Sequence, residues 1–214
     1  MSAEIIEITA PELIEGSLLP GIKSMIDQGF DYLAFPLVAQ TIELIGAFFD
    51  TNPFDQSGVA AEGRVDRFHN GIKHLFKDNV YKNNRAEFYE NLRCSFAHQM
   101  RPGNGFLLTS SRNGFTEKDH LAKTASGDRL LVIEFFFADL ALAVKRLLNE
   151  IKKAQNNIDK AKITEVFLVV KKVEIQKGGS TSFGVASAAP AEGYFSFQPP
   201  QDPPGYSSTA GPGC

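Results

Sequence analysis

The chain has 214 residues, of which 43% are hydrophobic and 22% charged, a composition and length that predict one folded domain with a substantial core. Its net charge is −3, and the charges are unevenly distributed: residues 1–60 contain nine acids and one lysine, whereas residues 61–101 form a modest basic strip. This distribution excludes a strongly basic nucleic-acid binder but permits a polyanionic ligand. Charges interrupt the longest apolar stretch, which argues against a membrane span, and the first residues are acidic, which argues against a secretion signal. Cysteine occurs only at positions 94 and 214, too few for a disulfide framework. We therefore predict a cytoplasmic protein.

Helical spacing of apolar residues predicts that the first half of the chain is helical. Residues 10–28 follow this spacing as one bent helix or two short ones, with a kink or break at Pro20-Gly21. Residues 31–49 are apolar on almost every side, which is typical of a central buried helix. Two further helices are predicted over residues 60–76 and 84–100, the second with Asn84 as N-cap and Glu87 completing a capping box.

The second half of the chain mixes strand and helix patterns. Short apolar runs at residues 105–110, 120–124 and 129–133 predict a small β-meander. Residues 135–151 return to helical spacing, and residues 163–173 are rich in β-branched side chains, as in a strand. From residue 177 onward Gly, Ser, Ala and Pro dominate. We therefore predict a folded domain over residues 1–176 and a loosely structured, low-complexity tail over residues 177–214.

The most informative segment for function is the helix end at residues 89–101. At about 100° per residue, an ideal helix places Arg93 and His98 on one face, together with Cys94 and Ala97. Because these last two side chains are small, a second helix can approach closely and leave the guanidinium and imidazole in a cleft. The opposite face is predicted to meet the core through Phe88, Tyr89, Leu92, Ser95, Phe96, Gln99 and Met100.

The run Leu-Arg-Cys-Ser-Phe-Ala-His-Gln at residues 92–99 resembles the Arg-x4-6-His motif of the HEPN superfamily. The resemblance covers residues 10–101 and the helix from Phe135. It implies a mainly α, HEPN-like helical bundle that carries the β-meander as an insertion and forms a homodimer. It also implies a metal-independent endoribonuclease of a toxin-like defence or stress system, without a cofactor. RNA would be the ligand, and an antitoxin or a nucleotidyltransferase a further partner.

The same resemblance assigns roles to individual residues. His98 would act as general acid or base while the RNA 2′-hydroxyl attacks the adjacent phosphate, and Arg93 would stabilise charge on the phosphoryl oxygens. Two copies of this pair would meet at the dimer interface, and the product would end in a 2′,3′-cyclic phosphate. The basic residues Arg64, Arg67 and Arg101 are candidates for contacts with RNA phosphates.

Other interpretations of these residues stay open. Arg64 with His69, and Arg67 with His74, also fit the motif spacing, but for these four residues a charged surface strip is the favoured interpretation. Arg93 on a solvated helix face would pair with Glu90 or Glu87. His69 and His74 are five residues apart, which does not favour a shared metal, and His120 remains unassigned. At the level of the protein, the alternatives are a catalytically silent HEPN-like module that binds RNA, a nucleotide or a protein, and a plain interaction scaffold.

Overall fold

A computed structural model of the chain describes residues 2–54, 61–153 and 158–174. These residues belong to two units, one of residues 6–169 and one formed by residues 1–5 with residues 170–213. The described part of the second unit consists of the ends of two strands. The predicted tail, residues 177–214, lies outside the described residues.

The described residues are mainly helical, as predicted. Their α-helices are α1 (Ala10–Leu13), α2 (Leu19–Asp27), α3 (Asp31–Gly46), α4 (Ala61–Leu75), α5 (Asn79–Asn83), α6 (Arg85–Phe88), α7 (Ser95–Gln99), α8 (Ile133–Lys152) and α9 (Lys160–Thr164). The π-helical segments are Ile14–Leu18 and Tyr89–Cys94, and the 3₁₀ turns are Ala47–Phe49 and Ser111–Asn113. The strands are β1 (Ser2–Thr9), β2 (Phe106–Thr109), β3 (Arg129–Val132) and β4 (Val166–Glu174), and they form two sheets, β1 with β4 and β2 with β3.

The first helical segment continues past Pro20, so of the two predicted forms, one helix or two short ones, the chain adopts the continuous one. Thr9 caps its N-terminus by a capping box with Glu12. The π-helical turn Ile14–Leu18 lies directly before the proline, and the amide of Leu19 donates to the carbonyl of Ile14, five residues back. Because proline lacks an N–H and its ring crowds the preceding turn, this wider turn lets the helix continue.

Helix α3 is the central core helix, as predicted. Its segment Asp31–Phe49 has the length and a mean hydropathy of 1.5 that a membrane span would have, but 61% of it is buried inside the protein. Its apolar side chains contact those of α2, α4 and α8, and Phe35 packs against Phe136 with the ring centroids 6.3 Å apart. The helix is therefore explained as the core of a helical bundle.

Helices α3 and α4 cross at a pair of glycines. A Cβ atom added at Gly46 would lie 1.7 Å from the carbonyl oxygen of Arg67, and one added at Gly71 would lie 2.4 Å from the carbonyl oxygen of Ile42. The two backbones therefore touch directly, which only glycine permits. This close crossing brings Arg67 to the C-terminal end of α3.

The helix predicted over residues 84–100 forms, but its start differs from the prediction. Asn84 occupies the N-cap position without a side-chain cap hydrogen bond. Its side-chain amide instead donates to the carbonyl of Val80, and the carboxylate of Glu87 lies 3.7 Å from the guanidinium of Arg129. A preceding short helix, α5, explains this, because it offers Asn84 a carbonyl acceptor in place of the predicted capping box.

The same helix has a different face from the one that an ideal α-helix predicts. The π-helical turn Tyr89–Cys94 places more residues in each turn than an α-helix, so the later side chains are rotated. Cys94, predicted to line a groove, is buried at 4% exposure, and Met100, predicted to face the core, is 61% exposed. Gln99 is exposed as well. Four of the predicted core positions are confirmed, since Phe88, Tyr89, Leu92 and Phe96 are buried.

The predicted β-meander is wrong in its pairing. Strands β2 and β3 are parallel, with Phe106 opposite Arg129 and Thr109 opposite Val132. The segment 120–124 is not a strand but a series of turns with one isolated bridge, from Lys123 to Arg129. Parallel pairing needs a long crossover, and the chain between the two strands supplies it. Both flanking strands were predicted correctly; every residue of β3 is buried, which is typical of a parallel strand.

The last described elements follow the prediction with one addition. Helix α8 extends over Ile133–Lys152, where helical spacing was predicted. The predicted strand at residues 163–173 begins later, at Val166, because the short helix α9 precedes it. Asp159 caps α9 by accepting a hydrogen bond from the amide of Ala161.

Candidate functional site

Arg93 is held by an ion pair with α3. Its Nε atom donates to Oε2 of Glu43 at 2.6 Å, and the two side chains are 14% and 7% exposed. Its guanidinium lies 5.8 Å from the ring centroid of Tyr89. Burial lowers the pKa of Arg93, but the Glu43 carboxylate outweighs this effect and raises the pKa above its ordinary value. Arg93 is therefore charged and fixed in place, and its partner comes from α3, not from Glu87 or Glu90.

Arg67 is fully buried, which corrects the expectation of a charged surface strip. Its Nε donates to Oδ2 of Asp50 at 2.6 Å, and its Nη2 donates to the backbone carbonyls of Asn52 and Pro53 at 2.9 and 2.7 Å. The remaining nitrogen, Nη1, is buried without a hydrogen-bond partner among the described residues. A buried guanidinium nitrogen of this kind is costly unless an acceptor reaches it.

Asp50 connects Arg67 to a second buried cation, Lys162. The Nζ of Lys162 donates to Oδ1 of Asp50 at 2.5 Å and to the backbone carbonyl of Asp50 at 2.7 Å. It also donates to the carbonyl of Ala47. Burial raises the pKa of the Asp50 carboxyl, but hydrogen bonds from Arg67 and Lys162 outweigh it, so the pKa lies below its ordinary value. Asp50 is therefore ionised at neutral pH.

Arg67 and Arg93 line the same cavity of about 330 Å³, which we call the arginine cavity. The residues around it are Gln40, Glu43, Leu44, Ala47, Phe54, Arg67 and Arg93. Among the described residues, three ionic groups lie in its wall: Arg67, Arg93 and Glu43. Two more lie behind Arg67, the carboxylate of Asp50 and the ammonium of Lys162, so that the group has three cations and two carboxylates. These five described groups together carry one positive charge in excess. The cavity can therefore hold one anionic group beside an apolar wall.

The five predicted site residues fall in different places. Arg67 and Arg93 come together at the arginine cavity. His98 and Arg101 are exposed and are not among the residues that line it, and Arg101 donates to the side chain of Gln99 at 3.1 Å. The side chain of Arg64 lies outside the described residues. The structure thus brings together the two arginines from α4 and from the π-helical turn, while His98 lies on a separate surface.

Exposed apolar side chains lie at the end of α7, which carries His98, and at the start of α3. Helix α7 ends at Met100, which has a left-handed backbone with φ of 54°, and the hydroxyl of Tyr32 donates to the carbonyl of Met100 at 3.0 Å. The exposed apolar side chains here, which we call the apolar patch, are Phe30, Tyr32, Leu33 and Met100, exposed by 52%, 45%, 44% and 61%. Exposed apolar groups in one region are typical of a contact surface.

His120, which the sequence left unassigned, belongs to a polar network. The hydroxyl of Tyr81 donates to Oδ2 of Asp139 at 2.7 Å and lies 2.9 Å from Nε2 of His120. The amide of Val132 donates to Nδ1 of His120 at 3.1 Å, so a neutral imidazole carries its hydrogen on Nε2. Burial raises the pKa of Tyr81 well above its ordinary value. The network ties the loop before β3 to α5 and α8, which is a structural role.

The other two histidines of the basic strip are packed against aromatic rings. His74 stacks on Phe49 with the ring centroids 4.6 Å apart, and His69 meets the ring of Tyr89 at 6.0 Å. Burial is the main reason why the pKa of each histidine is lowered from its ordinary value. These ring contacts account for the positions of both side chains, of which His74 is exposed. The alternative motif pairs with Arg64 and Arg67 stay predictions, since the side chain of Arg64 lies outside the described residues.

These lowered pKa values give a testable pH dependence. The unfolded chain protonates both histidines near pH 6.5, before the folded chain does. The stability that the two neutral histidines contribute is therefore complete above about pH 6.5. It declines as the pH falls towards the pKa values of these histidines in the folded chain. We expect the free energy of unfolding, measured with urea at pH 7.5, 6.5 and 5.5, to decrease in that order. The decrease should be smaller in His74→Gln; a higher stability at pH 5.5 than at pH 7.5 would contradict the assignment.

Sequence reasoning missed the groups that complete the site: Glu43, Asp50 and Lys162. Glu43 is a single charged residue in an otherwise largely apolar part of α3, which was the available signal. Asp50 lies in a turn-rich segment and Lys162 lies among other charged residues, so neither stands out in the sequence. No group of three or more His, Cys, Asp or Glu side chains suited to a metal ion occurs in the described part of the chain. No family model, curated protein or solved structure matches this chain.

Proposed function

We propose that this chain is a HEPN-like module that binds RNA, with one phosphate of the RNA in the arginine cavity. The observation that carries this proposal is the convergence of Arg67 and Arg93 on one cavity, with Nη1 of Arg67 buried and lacking a partner among the described residues. The motif at residues 92–99 and the mainly helical fold also support it. An intracellular, cytoplasmic setting fits this role.

The charges of the cavity suit a phosphodiester. A phosphodiester carries one negative charge, which matches the single excess positive charge of the described groups. Guanidinium groups donate charge-assisted hydrogen bonds to phosphate oxygens, which are stronger than those of neutral donors, and Nη1 of Arg67 is the nitrogen of that side chain left to donate one. The apolar side of the cavity, which includes Leu44 and Phe54, can contact the sugar or base next to that phosphate. We therefore expect contact with a flexible single strand rather than with a duplex.

Replacing Arg93 with glutamine tests the binding proposal. We expect Arg93→Gln to weaken binding of a single-stranded RNA about tenfold, because one charge-assisted contact is lost. Arg85→Gln is the matched control, since Arg85 is exposed and outside the cavity. It should change the affinity less than about twofold. Fluorescence anisotropy at two salt concentrations measures both variants.

The double variant Glu43→Gln/Arg93→Gln separates binding from folding, because it removes both members of the ion pair and keeps the net charge. We expect it to be folded by circular dichroism and still to bind RNA weakly. Equal binding by Arg93→Gln and Arg85→Gln would refute the role of the cavity. A wild-type protein that binds no RNA would leave the interaction scaffold as the better description.

A second candidate function is the metal-independent endoribonuclease that the motif resemblance implies. The observation that favours it is the exposure of His98, two residues before Met100 of the apolar patch, because that patch suits contact with a second copy of the chain. In such a homodimer His98 would act as general acid or base, and Arg93 would exchange Glu43 for the phosphoryl oxygens. A toxin-like role in defence or stress, with an antitoxin or nucleotidyltransferase partner, belongs to this candidate.

The same binding experiment distinguishes the two candidates when the RNA is also analysed for cleavage in EDTA. Under the endoribonuclease candidate, the wild type produces ends with 2′,3′-cyclic phosphate and His98→Ala does not, while both proteins bind RNA. Under the binding module, both proteins bind and neither cuts. Solution mass measured in parallel shows whether cutting requires a dimer.

A further inference from the structure

A row of three buried charged side chains leads from helix α9 to the arginine cavity. Lys162 on α9 contacts Asp50 at 2.5 Å, and Asp50 contacts Nε of Arg67 at 2.6 Å. The three side chains are 2%, 15% and 0% exposed, in that order. Since Arg67 forms part of the cavity wall, the charge on α9 is linked to the cavity through a single carboxylate.

Helix α9 is attached to the end of α3 by polar contacts. The amide of Asp159 donates to the carbonyl of Phe48 at 2.9 Å. The ammonium of Lys162 donates to the carbonyl of Ala47, the carbonyl of Asp50 and the carboxylate of Asp50. An ammonium has three N–H groups, so protein oxygens use all of them. Lys162 therefore has no N–H left for a ligand in the cavity, and its charge acts on the cavity from behind the wall, through Asp50 and Arg67 and beside the ring of Phe54, whose centroid lies 5.5 Å from Nζ.

We propose that Lys162 is a positioning residue for anion binding, and that docking of α9 and binding of an anion in the arginine cavity strengthen each other. Without the ammonium, Arg67 would be the single cationic partner of Asp50 among the described residues. The described groups would then be two cations and two carboxylates, and no positive charge would be left over for an anion. Because such coupling is reciprocal, an anion that engages Arg67 also stabilises the docked position of α9. This inference rests on the proposed function, since it concerns the regulation of the same site.

Lys162→Met tests the proposal with sulfate as the probe, because sulfate stays ionised over the working pH range. We expect the variant to bind sulfate about tenfold more weakly than the wild type, as one buried charge near the site is lost. Lys160→Met is the matched control: it removes the same charge from the same helix, at an exposed position. It should change the affinity less than about twofold. Titration followed by NMR measures both.

A rescue variant separates this electrostatic role from a loss of folding. Lys162→Met/Asp50→Asn again leaves one excess positive charge among the described groups, and asparagine can still accept from Nε of Arg67. We expect the affinity for sulfate to return to within about threefold of the wild type, which a collapsed cavity would not allow. Undiminished binding by Lys162→Met, or folded double variants that fail to regain affinity, would overturn the proposal.

Hydrogen exchange provides a readout that needs no substitution. Sulfate added to the wild type should slow exchange of the α9 amides, including that of Ala161, whereas unchanged exchange at saturating sulfate would contradict the coupling. If the wild type binds no sulfate, or if Arg93→Gln binds it equally well, the proposed function itself fails. If the wild type binds at the cavity and Lys162→Met is unaffected, only the role of Lys162 fails.

Discussion

Gly46→Ala is expected to lower the free energy of unfolding by about 3 kcal/mol or more. The added Cβ would lie 1.7 Å from the carbonyl oxygen of Arg67 and 2.6 Å from the amide nitrogen of Gly71. Both neighbours are backbone atoms of α4, which cannot rotate away as a side chain can. The two helices must therefore separate, and the core between them loses contacts. Urea denaturation measures the change.

Gly21→Ala is the matched control for this substitution. Gly21 lies in α2, and a Cβ there meets nothing within 4 Å. Alanine favours the helix over glycine, so we expect Gly21→Ala to stabilise the protein by up to about 1 kcal/mol. Similar stabilities for the two variants would mean that the helices do not touch at Gly46.

The crossing at Gly46 also positions the candidate site. Arg67 supplies the carbonyl nearest to Gly46, and its side chain reaches Asp50 just beyond the end of α3. A shift of α4 relative to α3 therefore moves the guanidinium away from the wall of the arginine cavity. We expect any Gly46→Ala protein that remains folded to lose its affinity for sulfate as well, whereas Gly21→Ala retains it.

Local patterns predicted the parts of the fold that depend on nearby residues. The spacing of apolar side chains identified α3, α4 and α8, because a helix that packs on one core repeats its contacts every three to four residues. The strands at Phe106–Thr109 and Arg129–Val132 were also predicted, from their short apolar runs. Their parallel pairing was missed, since it depends on the path of the chain between them and not on either strand.

The candidate site was harder to predict because its contacts join distant parts of the chain. Arg93 was identified from its motif, but its partner Glu43 lies 50 residues away, beyond the reach of helical spacing. Arg67 was named as a contact for RNA while the strip that contains it was expected at the surface. Its burial depends on Asp50 and on carbonyls that a turn brings to it. The π-helical turn, which has no simple sequence signal, moved Cys94 into the core.

Asp50→Asn is expected to lower the free energy of unfolding at pH 7 by about 3 kcal/mol. The carboxylate is the ionic partner of both Arg67 and Lys162, whose side chains are 0% and 2% exposed, so its neutralisation leaves two buried cations without a counter-charge. The double variant with Lys162→Met should lose less than the sum of the two single variants, because it removes a cation together with the carboxylate.

The pH dependence of this difference follows from the pKa of Asp50. That pKa is lowered from its ordinary value of 3.8 in the folded protein, because hydrogen bonds from Arg67 and Lys162 outweigh the effect of burial. The stability contributed by the carboxylate is therefore fully present above about pH 4 and is lost as the pH falls through the folded value. Urea denaturation at pH 7, 5 and 3 should show a constant difference between wild type and Asp50→Asn at the first two values and a smaller one at the third. A difference that stays the same at pH 3 would mean that the ionised carboxylate is not what stabilises this end of α3.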